Sequence, residues 1–197
     1  MMDHMEYLKF PFRDREWLKK MLLGCIFLII PIVNILVLGY FVECIRLGIR
    51  GKTILPDWSD WEFYLRQGFM ALLIFIVYLG IPLLFTFILH IVPILGVMVS
   101  SIVTLLAGAI VPMALANSAL NNNVMDAFRI GEILDNIKQV IDYYAPAYLI
   151  MAIITAIAPA VAVGIPIISF AGVFLMFYSG IVYSNYIGQL YHQSSSC

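Results

Sequence analysis

Residues 67–125 and 143–197 contain no Asp, Glu, Lys or Arg at all, over 59 and 55 residues respectively. Runs of this kind cannot supply a water-soluble surface. One helical crossing of a ~30 Å hydrocarbon core takes about 20 apolar residues, so each run holds two crossings. Composition agrees: 63% of the 197 residues are hydrophobic and 12% are charged, where soluble domains carry about a quarter charged. No strand-like alternation competes, and the expected class is an all-α membrane protein.

The charged residues fall into three clusters, 9 in residues 1–20, 8 in 43–66 and 6 in 126–142. Turns inside the long gaps are marked by Pro and Gly, at His90 to Gly96 and Pro159 to Pro166. Helices are therefore expected near 67–90, 94–117, 145–160 and 166–190. The shorter gap, 21–42, can cross once or fold back. Lys and Arg near helix ends are retained on the cytoplasmic side, and the clusters hold 5, 4 and 2 of them. A fold-back puts all 11 on one face, whereas a single crossing splits them, so the hairpin is favoured. Pro31 and Asn34 would make its turn, with arms over 16–30 and 34–50. Such arms are only ~22 to 25 Å long, which makes the hairpin re-entrant or the bilayer locally thin.

The expected architecture is a bundle of five to six membrane segments in three helical hairpins, forming a single domain over 1–197. Its parts are an N-terminal hairpin with a Trp-rich interfacial segment (1–66), a second hairpin (67–117), a cytoplasmic amphipathic helix (118–144) and a third hairpin with the C-terminal tail (145–197). Trp17, Trp58 and Trp61 lie in or beside charged clusters, as interfacial anchors do. A loose threefold repeat of lead-in, arm, turn and arm runs along the chain. Small residues recur with a four-residue period at Ser100, Thr104 and Gly108, at Ala152, Ala156, Ala160 and Gly164, and in the last helix at Gly172, Gly180, Ser184 and Gly188. That spacing suits close helix packing in a membrane. Ser59 with Glu62 forms a capping box that starts a helix at Ser59. Ile130, Ile133, Leu134, Ile137 and Ile141 recur at helical spacing among charges, which predicts an amphipathic helix at the interface or capping the bundle.

The succession Leu38-Gly39-Tyr40, Arg46, Arg50-Gly51, Leu55-Pro56-Asp57-Trp58, Trp61 and Gly68, preceded by Trp17-Leu18-Lys19-Lys20 and Pro31, resembles an uncharacterised membrane-protein family of archaea and bacteria, domain of unknown function 4013. The resemblance is strongest over residues 10–80. It implies a polytopic prokaryotic membrane protein and brings no substrate with it.

Chemistry has few places to reside. Glu43 and Arg46 are three apart on one helix face, with Arg50 a turn further and Asn34 at the hairpin tip. They form the candidate intramembrane polar site, with an ion pair anchoring the bundle as the structural alternative. A catalytic set is absent: no Gly-x-Ser-x-Gly elbow, Ser-x-x-Lys or paired intramembrane Asp occurs, so no enzyme is expected. His4, His90 and His192 have no ligand partners at metal spacing, and neither a metal nor a cofactor is expected. Cys25, Cys44 and Cys197 form no disulfide framework, and the apolar run after Lys20 reads as a retained membrane segment rather than a cleaved signal. With a net charge of −1 nothing indicates nucleic acid. The expected partners are membrane lipids, together with a membrane-protein partner or a second copy. The expected role is transporter-like or lipid and small-molecule handling in the cell membrane, with the alternative of a non-catalytic scaffold or complex subunit.

Overall fold

The computed structural model describes residues 8–89, 93–162 and 166–195. His4, His90, Cys197 and the centres of the two outer turns lie outside the described residues. Among the described residues there is no strand. The helices are α1 (Trp17–Ile29), α2 (Asn34–Ile49), α3 (Trp61–Leu89), α4 (Pro93–Asn121), α5 (Ile130–Gln139), α6 (Ile141–Ala162) and α7 (Pro166–Ser195), with short 3-10 turns at Phe10–Arg13 and Val124–Phe128.

Three segments are long and apolar enough to cross a membrane, Trp61–Leu84, Met98–Asn121 and Phe170–Ser195, and a fourth is the α5–α6 pair, bent by 101°. Their outward surfaces are apolar: Leu84, Phe87, Leu106, Ile150 and Ile153 all stand exposed. In water such a belt would aggregate, and in a bilayer it meets lipid. The chain is a helical membrane protein. The expected five to six segments reduce to these three or four, because α1 and α2 have only 13 and 16 residues, short of the ~20 a crossing takes.

The long helices extend further toward the charged end than expected. α3 begins six residues before 67, α4 runs to Asn121 and α6 begins at Ile141. A charge at the interface does not end a helix, since its side chain reaches water while the backbone continues. The N-cap of α3 is Asp60 rather than Ser59: Asp60 Oδ1 accepts from Phe63 N–H at 3.1 Å. The predicted amphipathic helix is broken into a 3-10 turn, α5 and the start of α6. Only Ile133 of its apolar residues is fully buried, while Ile130, Leu134 and Ile141 stay exposed.

Residues 21–42 fold back rather than cross once, with α1 and α2 as short arms joined at 30–33. A Cβ on Gly68 would lie 1.9 Å from Ile35 O, so α2 begins beside the second turn of α3. From Gly68 to Leu89 α3 continues for about 31 Å, itself one full crossing. α1 lies across the charged end: Trp58 Nε1–H donates to Lys20 O at 3.1 Å, while the Phe27 ring meets Trp58 and Trp61 at 5.1 and 5.2 Å. The first two helices therefore sit at the charged end instead of repeating the α3–α4 and α6–α7 hairpins.

α2 is nonetheless the best-packed helix, because glycine lets two neighbours approach its backbone. Gly39 and Gly68 bring α2 against α3, and Gly48 and Gly188 bring it against α7; an added Cβ at any of the four would meet a carbonyl oxygen at 1.9 to 2.1 Å. Lipid offers no hydrophobic drive between helices, so such contact is the available source of cohesion. α2 ends at Gly51, φ 67°, in a Schellman arrangement where Lys52 N–H donates to Leu47 O at 2.8 Å and Gly51 N–H to Gly48 O at 2.9 Å.

Candidate functional site

The family-like residues 39–58 assemble into one cluster. Tyr40 is fully buried, stacks on Trp58 with ring centroids 4.3 Å apart, and donates from its hydroxyl to Pro56 O at 3.1 Å. Trp58 thus turns inward, whereas Trp61 keeps half its surface exposed and Trp17 packs edge-on against Phe12. Lys20 bonds to both Asp14 and Asp57 at 2.6 Å and donates to Leu55 O at 3.3 Å. Burial alone would raise the Asp14 carboxyl, but the Lys20 ammonium and the Glu16 N–H together hold it below the ordinary range. Burial alone would lower Lys20, and the two carboxylates hold it above its ordinary value.

Glu43 and Arg46 form a 2.6 Å ion pair. Arg46 is spent on structure: its Nε–H donates to Ala119 O at 3.1 Å, a second nitrogen donates to Asn122 Oδ1, and the guanidinium lies 5.1 Å from the Phe63 ring centre. Asn122 also accepts from Gln67 Nε2–H at 2.9 Å, so one cation ties together α2, α3 and the end of α4. Glu43 faces a groove of about 380 Å³ whose wall includes Asp57, Asp60 and Ser59. The other two predicted residues stand apart. Asn34 opens α2 nine residues before Glu43, about 14 Å away along the helix, and Arg50 is exposed at its C-cap. The pair lies at the charged end, since α2 reaches no deeper than Gly68.

Sequence reasoning missed several partners. Asn117 donates to Asp126 O at 2.8 Å and accepts from Tyr191 Oη–H at 2.6 Å, and Asn185 donates to Cys44 O at 3.2 Å and Lys52 O at 2.9 Å. The signal available was the Asn121-Asn122-Asn123 run, where Asn122 takes φ 53° and ends α4. Among the described residues no group of three or more His, Cys, Asp or Glu side chains could hold a metal ion.

A second feature had no sequence signature. An apolar cavity of about 410 Å³ lies inside the bundle, walled by the Leu38–Phe41–Ile45 face of α2 and by α3, α4, α6 and α7. α6 packs along α7, and two tyrosines bond it to α4: Tyr144 Oη–H donates to Ala109 O and Tyr148 Oη–H to Leu105 O at 2.7 Å. Tyr183 lines the cavity, its hydroxyl shielded from solvent and paired with that of Tyr144. The volume lies within the ~300–1,000 Å³ typical of small-molecule sites, with the usual apolar lining and few polar groups.

No curated protein and no solved structure matches the chain. The sequence profile of the family described as protein of unknown function (DUF4013) matches residues 22–177, from α1 into α7. That match covers most of the chain, so the protein is a member of the DUF4013 family.

Proposed function

We propose that this protein is a multi-pass component of the cell membrane that holds a lipid or other apolar small molecule inside its helical bundle and carries out no catalytic step. The observation behind this reading is the apolar cavity of about 410 Å³. By the retention of Lys and Arg on the cytoplasmic side, the charged end faces the cytoplasm. Glu43 and Arg46 serve as the lock that holds α2 in place, beneath the cavity rather than within it. Native mass spectrometry with lipid analysis, on protein released in mild detergent, tests the reading. A stoichiometric apolar ligand is the expected result, and a ligand-free protein would overturn it.

A scaffold or complex-subunit role has one observation in its favour. Ile130, Leu134 and Ile141 are exposed around an otherwise charged α5, a surface suited to the membrane interface or to a neighbouring membrane protein. Co-release of another polypeptide, or of a second copy, without small ligand in the same spectra would put that role first.

A further inference from the structure

Resting on the reading that the cavity binds an apolar molecule, we propose that its occupant is the acyl chain of a membrane lipid. The chain enters sideways between α4 and α6.

The route is set by how the seam is held. α4 and α6 meet through the Tyr144 and Tyr148 hydroxyls on backbone carbonyls of α4, side-chain bonds that rotation of two tyrosines can release. Tyr148 stands at the boundary: with Leu79 and Gly108 it walls both the cavity and an adjoining outer groove of about 460 Å³. Gly108 is the position that makes room, since a Cβ there would lie 2.7 Å from Tyr148 Oη. Gly108 is also thirteen residues inward from Asn121, about 20 Å. The surface on either side, Leu106, Ile150 and Ile153, is exposed and apolar. A molecule arriving here comes from the bilayer rather than from water.

The class of molecule follows from length and polarity. Tyr144 lies beside Ala109 and Tyr148 beside Leu105, so α6 climbs the seam antiparallel to α4. Along α7 the cavity runs from Met176 to Ile187, about 16 Å. An acyl chain standing parallel to the helices fits that span. No charged side chain walls the cavity, which excludes a headgroup.

The test is photolabelling of the full chain, reconstituted in liposomes with a phosphatidylcholine that carries a diazirine near the end of one acyl chain, with adducts mapped by mass spectrometry. Adducts are expected on the cavity residues Met151, Thr155 and Met176. Adducts confined to the lipid-facing Leu149, Ile150 and Ile153 would overturn the proposal. Ala152→Phe should fill the cavity, removing the inner adducts and keeping the outer ones. Tyr148→Phe should raise the rate of inner labelling. An unlabelled cavity in a protein that releases a stoichiometric apolar molecule without an acyl chain would overturn this proposal and leave the binding role standing. An unlabelled cavity in a ligand-free protein would remove both.

Discussion

At the scale of single residues, Arg46 and Lys20 show what a rare charge does in so apolar a chain. Arg46 satisfies one carboxylate and two oxygens on α4, and its side chain is 7% exposed against 17% for Glu43. Removing the cation strands Glu43 and leaves Ala119 O and Asn122 short of a donor. Arg46→Ala is therefore expected to cost about 3–5 kcal/mol, the range for breaking a buried pair. Glu43→Gln keeps an acceptor beside the groove and is expected to cost about 1 kcal/mol. Thermal unfolding in detergent would show this order, and equal losses would contradict the anchoring role. The Lys20 cluster is pH-sensitive in both directions. With Asp14 held below the ordinary carboxylate value of ~3.9, its stabilisation is complete above that pH and fades as pH falls through the lowered value. With Lys20 held above ~10.4, its share persists below that pH and is lost as pH rises through the raised value. Protection factors of residues 8–20, exchange rates taken relative to the intrinsic rate at each pH, are expected to be high and flat across neutral pH and to fall at both extremes, with Lys20→Met low throughout.

At the scale of elements, glycine position separates packing from mere presence. Gly48 and Gly188 sit where a Cβ would strike backbone, which cannot move aside, whereas Gly80 and Gly131 have nothing within 4 Å. Gly48→Ala and Gly188→Ala are expected to destabilise by several kcal/mol through separation of α2 from α7. Gly80→Ala should stabilise α3 by about 0.5–1 kcal/mol, because helical alanine loses less backbone entropy. Unfolding midpoints of these variants test the contrast directly. The four-residue stripes at 100–108 and 180–188 are legible as packing surfaces from spacing alone, and Gly180 and Gly188 do meet α2. Gly39 and Gly48, the α2 half of the clasps, are not legible as such, because spacing on one helix says nothing about which partner faces it. The α3 cap shows the same limit: Ser59 and Glu62 match a capping box, yet Asp60 is the residue whose carboxylate reaches the free N–H.

At the scale of the whole molecule, the three charged clusters converge on one end through bonds that join distant segments. Lys20 reaches Asp57, Arg46 reaches Ala119, and Asn117 reaches Tyr191. The tip of the first helix pair stays at that end, with Ile32 78% exposed at its turn. In a protein whose native cysteines are replaced, Ile32→Cys is expected to resist an impermeant thiol reagent supplied on the far face. Modification from that face would restore a full hairpin. Charge-free length is what the sequence determines alone, since hydrocarbon admits only apolar helices of a minimum length, and composition reports this without knowledge of contacts. That reasoning reaches the class, the four long helices and the shared end of the charges. It does not reach the depth of α2, the inward turn of Trp58 or the cavity. Those depend on which backbones can approach one another and on where α4 and α6 are joined by tyrosines, and in a solvent as apolar as the side chains only close steric fit decides such pairings.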